Sequence, residues 1–316
     1  MRNSGTVFTG ESFPDLACFI TTLTKLLLMK TKNLCFLSFF LFLSFFARAQ
    51  ELVLPLASPK ASVSQTIGLT DVSVKYHTPS IRGREVWGKL VPYGEVWRTG
   101  ANEATLVTFS DDVVVQGEKL PAGTYSLFTI PETHDNWTII FNKELNQWGA
   151  FDYKQSEDAL RVPVQAIPSD HHETLFFSFT NIKPTSGELN LNWEKIRIPI
   201  RIDVEVDKKA VANIKSAISQ AKPDDWRIYA QAVNYFLQNK KESELALELI
   251  DKSIEINSNF YNNWLKAQLM AQHNEYREAV VLVKKAIKLG EQEKETFKQY
   301  ATDLELDLKE WRVKQN

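Results

Sequence analysis

The chain has 316 residues, with 37 basic and 39 acidic side chains and a net charge of −2. That near-balance leaves no strongly basic surface for nucleic acid or for an anionic membrane. Its two cysteines, Cys18 and Cys35, both precede the stretch read below as the mature chain. Disulfide staples, thiolate catalysis and cysteine-ligated zinc are therefore excluded from that chain.

From Met29 the sequence reads MKTKNLCFLSFFLFLSFFARAQ. Lys30 and Lys32 form a basic head, Leu34 to Phe46 an apolar run, and Ala47-Arg48-Ala49 a small-residue cleavage site. This is the layout of a cleavable export signal, and its apolar core is too short for a stable membrane span. The reading is an upstream over-read at 1–28, a signal peptide at 29–49 and a mature chain from about Gln50. No cysteine sits at the cleavage point for a lipid anchor, and no later apolar run is long enough to cross a bilayer. The expected product is exported and soluble, in the periplasm or outside the cell. It is long enough for two domains whose cores need no staples.

Apolar residues alternate from Gln50 to about Val206. Val72, Val74 and Tyr76 share a face in DVSVKYH, and TYSLFTI (124–130), WTIIF (137–141), TLFFSF (174–179) and IRIPIRIDVEV (196–206) follow the same rule. About nine β-rich runs separated by turn signals predict an antiparallel β-sandwich over residues 50–206. Pro163 and Pro199 interrupt two runs and belong on an edge or at a bulge, since neither can donate to a ladder.

Near Asp207 the period becomes helical, with breaks at Lys222-Pro223-Asp224, Asn239-Lys240-Lys241, Asn257-Ser258-Asn259, His273-Asn274 and Gly290. About six helices in antiparallel pairs are predicted for residues 207–316. Residues 246–254 align with 279–287 at an offset of 33, with small residues (Ala246 and Ser253, Ala279 and Ala286) flanking Ile250 or Val283. Small residues let helices approach closely, and the offset resembles the period of about 34 in tetratricopeptide repeats. The fold class is thus β then α: a sandwich followed by tetratricopeptide-like helical pairs.

The densest chemistry lies in residues 76–105, YHTPSIRGREVWGKLVPYGEVWRTGANEAT. Together with AGTYSLFTIP, WTIIFNK and QWGAFDY, its VPYGEVWRTGANEAT stretch resembles an exported bacterial family catalogued as domain of unknown function 2911. The resemblance covers roughly residues 57–205. It implies an export signal, a compact domain and often a helical tail, and it supplies no reaction.

Function must then be read from the residues. Arg98 has the fork geometry to hold a carboxylate or phosphate, with Asn102 and Arg82 as polar neighbours and Trp97 or Trp148 as a stacking wall. The competing reading, favoured by residue type, is a structural clamp in which Arg98 pairs with Glu103 or Asp158. Glu103, Asp152 and Asp158 are the carboxylates from which a hydrolase would draw its acid and base. Asp170-His171-His172-Glu173 reads as a solvated turn and His77 as isolated, so no metal site and no cofactor are expected. The expectation is a binding or scaffolding protein, with a small ligand or glycan on the sandwich and a polypeptide partner on residues 207–316. The alternative is a cell-envelope hydrolase using paired carboxylates.

Overall fold

The computed structural model describes residues 54–241 and 243–315, so the segments expected to be an over-read and an export signal lie outside the described residues. Among the described residues, ten strands form two antiparallel sheets. One has six strands in the order β1 (Lys60–Ile67), β2 (Thr70–His77), β3 (Thr105–Phe109), β6 (Gly123–Pro131), β7 (Asn136–Asn142), β8 (Asp158–Gln165). The other has four: β5 (Glu118–Leu120), β4 (Val113–Val115), β10 (Ser186–Val204), β9 (Ile167–Lys183). The predicted alternation is realised in β2, where Val72, Val74 and Tyr76 are buried while Lys75 points outward. The facing sides of the two sheets share one apolar core.

Four tryptophans fill one region of that core. Trp97 stacks on Trp193 (5.8 Å between centroids, 21° between planes), and Trp87 meets Trp137 edge-on at 4.9 Å. Pro163 lies on β8, an edge strand. Pro199 falls where β10 changes partner, between its pairing with β9 up to Arg197 and its pairing with β4 from Ile202. Its missing N–H thus interrupts neither ladder.

The β1–β2 hairpin turns through Gly68 and Leu69. Gly68 has φ +58°, and a Cβ there would press on Val206 and lie 2.6 Å from the Pro184 carbonyl. Only glycine suits both the backbone angle and the space.

Helices follow Val204: α1 (Asp207–Ser219), α2 (Trp226–Asn239), α3 (Ser243–Ile256), α4 (Phe260–Gln272), α5 (Tyr276–Gly290), α6 (Lys294–Phe297) and α7 (Ala301–Lys314). Lys209 on α1 donates to both Asp111 carboxylate oxygens and to the Leu69 carbonyl, tying the first helix to the sheets. The helices have a core of their own. The 33-residue offset puts Ala246, Ile250 and Ser253 of α3, and Ala279, Val283 and Ala286 of α5, in fully buried positions. The Asn257-Ser258-Asn259 break is a cap: the Asn259 side chain accepts from the Tyr261 and Asn262 N–H groups.

Two phenols are held protonated. Tyr153 donates to Asp158 at 2.7 Å, and Tyr235 donates to Asp207 at 2.7 Å. Burial first, and the adjacent carboxylate second, pushes each up to about 12. Each folded-state value exceeds the ordinary tyrosine value, so the stability it contributes is complete below about pH 10 and lost as pH rises toward 12. Burial raises Tyr93, Tyr125 and Tyr261 as well, so a phenolate absorbance titration should show a late-ionising group of tyrosines that includes Tyr153 and Tyr235, and Tyr153→Phe should remove one of them.

Candidate functional site

A cavity of about 760 Å³ opens on the outer face of the six-stranded sheet. Its floor follows from strand register. Lys60 of β1 is paired with His77 of β2, Ser62 with Lys75, and Lys75 in turn with Leu106 of β3. These side chains share the face away from the core. The opposite wall is built by two loops that meet in a single bridge between Glu103 and Trp148, with the Ala104 N–H donating to the Gln147 carbonyl at 2.9 Å. Leu145, Asn146, Gln147 and Trp148 line that wall. The Trp148 indole is 60% exposed, an unusual state for so large an apolar surface.

With Gln147, His77 is one of two buried polar residues that line the groove. It is only 5% exposed, its Nε2 lies 3.4 Å from a Glu103 carboxylate oxygen, and that nitrogen makes no hydrogen bond. Burial holds its pKa below the ordinary value; Glu103 pulls it up, and the positive charges of Lys60 and Arg98 push it further down. Gly100 fixes the approach of the 97–105 segment, since a Cβ there would sit 3.2 Å from the His77 carbonyl oxygen.

Arg98 is not the clamp favoured by residue type. No carboxylate lies within ion-pair distance of it among the described residues, and its Nε is buried without a hydrogen-bond partner. Burial alone lowers its pKa. Both proposed partners are engaged elsewhere. Glu103 faces His77, and Asp158 accepts from Asn142, Tyr153 and Arg161 in a half-buried network.

Residues 58–202 match the model of a family described as Protein of unknown function (DUF2911). The matched stretch, just under half of the chain, is similar to that family. No curated protein and no solved structure matches the chain. The groove, from Lys60 to Trp148, lies wholly within the matched stretch, whereas the helices lie beyond the match.

The other expected site residues are dispersed across the matched stretch. Trp97 is 8% exposed and spends its ring face on Trp193, so it offers no wall to a ligand. Arg82 donates to the Ala57 carbonyl at 2.7 Å, and its N–H donates to Glu173 at 2.8 Å; it fastens the chain entering β1 and β9. Asn102, at φ +58°, donates to the Ser58 carbonyl and accepts from the Gly149 N–H, holding the groove loops together. Asp152 and Asp158 do not line the groove that Glu103 lines, so the carboxylate pair required for hydrolysis is not assembled there. Asp170 to Glu173 lie inside β9, not in a turn. Only Trp148 and Glu103 of the expected residues line the groove, and sequence reading missed Lys60, Lys75, His77 and Gln147.

Proposed function

We propose that the protein is an exported binding protein whose DUF2911 domain holds a small ligand or glycan in the Trp148 groove, while the helical pairs hold a polypeptide. The observation that carries the first part is the buried, unpartnered His77 Nε2 in a groove walled by an exposed indole. A polar atom buried without a partner costs stability, which a site ready for a ligand accepts and a purely structural surface avoids. The tetratricopeptide-like reading of the helices rests on starts at Trp226 and Phe260 for α2 and α4, and on the buried small residues of α3 and α5. A second cavity of about 840 Å³ between α2, α4 and α7, walled by Tyr261, Trp264 and Tyr300, gives a polypeptide a place to lie.

A thermal-shift screen with saccharides and small metabolites tests the groove. A ligand should raise the melting temperature of the parent protein, and Trp148→Ala should reduce that rise by weakening binding about tenfold or more, as loss of a central aromatic contact does. Melting of the unliganded variant should change little, because the ring is exposed. Ligands that stabilise the parent and Trp148→Ala equally would place binding elsewhere.

A further inference from the structure

The groove is unequal in charge and holds two buried polar atoms in waiting. Lys60 and Lys75 line it, Arg98 is near enough to act on His77, and Glu103 is the one carboxylate among the lining residues. Besides His77 Nε2, the Gln147 Oε1 is buried without a partner, although its amide nitrogen donates to Asn142 and to the Glu144 carbonyl. The Gln147 amide is thus fixed by its nitrogen, with its oxygen left unpaired in the lining of the groove. The exposed Trp148 face is the surface on which a sugar ring packs through its C–H side. A cationic floor, an unpaired buried acceptor and an aromatic wall together complement one ligand.

We infer that the groove takes a saccharide bearing an oxyanion, and that His77 gains a proton as this ligand binds. The inference rests on the Trp148 groove being the ligand site. Neutral His77 is kept so by burial and by two cations, Lys60 on β1 and Arg98 on the loop, against Glu103. Lys75 stands on the same outer face of β2. An oxyanion entering among these groups offsets the cations and favours the imidazolium, which then donates to it. By linkage, affinity rises as pH falls toward the titration range of His77. A carboxylate or a phosphate meets the same recognition chemistry.

The probes are trigalacturonate, its methyl ester with the same rings and no charge, and glucose 6-phosphate, titrated calorimetrically near neutral pH in buffers of different ionisation enthalpy. Trigalacturonate or glucose 6-phosphate should bind at least about tenfold more tightly than the ester, the size of one charge-assisted contact. The binding heat should depend on buffer and report net proton uptake. His77→Gln should abolish the uptake while leaving residual binding. If that variant does not fold, the buffer comparison on the parent protein still decides. Which anion binds better separates a carboxylate ligand from a phosphate one. Binding of the ester as tight as that of the anions, or heats independent of buffer, would overturn the inference while leaving the groove as a ligand site. Absence of binding by every probe would overturn it as well. Binding that is unchanged in Trp148→Ala would instead overturn the groove itself.

Discussion

Replacing Trp193 with alanine should lower the unfolding free energy by about 3–5 kcal/mol, the range for removing a large aromatic from a packed core. The residue is almost wholly buried, stacked on Trp97 at 5.8 Å and edge-on to Trp87 at 5.6 Å. Its loss removes apolar area and leaves a cavity that its neighbours cannot close. Trp97 is bridged to Thr129 of β6 through its backbone, and Trp137 lies within β7. The hydrogen bond from its indole to the Glu173 carbonyl is a smaller loss, since that oxygen also accepts from the Ile81 N–H at 2.9 Å. Denaturant unfolding followed by near-ultraviolet circular dichroism should show a lower midpoint with little change in slope. Trp193→Phe should recover part of the loss. A cost below about 1 kcal/mol would mean that the indole cluster is not the organising core of the sandwich.

The sheets were legible because their signal is local. Alternation in DVSVKYH is a property of successive residues, and the change of period near Asp207 coincides with the start of α1. Sequence alternation breaks the long hairpin of β9 and β10 into shorter runs. Its bulges, at Asn192 to Ile196, interrupt the alternation that marks one strand. The groove was half legible. Lys75 and His77 share a face by simple parity, and a turn centred on Gly68 and Leu69 would have placed Lys60 opposite His77. Sequence spacing leaves His77 isolated because Glu103, the carboxylate beside it, comes from another element, brought there by a bridge to Trp148 across 45 residues of chain. Nothing in residue spacing announces such a contact. Trp97 and Trp148 looked alike in sequence, each beside glycine or a charged residue, and only packing separates the buried ring from the exposed one.

Arg98→Met should leave the unliganded fold as stable as before, or more so, while weakening binding of an anionic saccharide about tenfold or more. The stem of the side chain stays packed with methionine in its place, so the change isolates the charge. Had Arg98 been paired with Glu103 or Asp158, its removal would strand a carboxylate and cost about 3–5 kcal/mol. No such pair exists among the described residues, and Arg98 Nε is buried with nothing to bond. Removing an uncompensated, partly desolvated charge relieves a penalty instead of creating one. What is lost is the positive charge acting on the His77 end of the groove. His77 should accordingly titrate at a higher pH in the variant, because one of the charges opposing its protonation is gone. The most direct measurement is thermal unfolding of Arg98→Met beside the parent protein, each with and without trigalacturonate. The predicted result is a melting temperature at or above that of the parent without ligand, and a clearly smaller rise than the parent's when ligand is added. A large fall without ligand, together with an undiminished rise on adding it, would contradict the account and return Arg98 to a structural role.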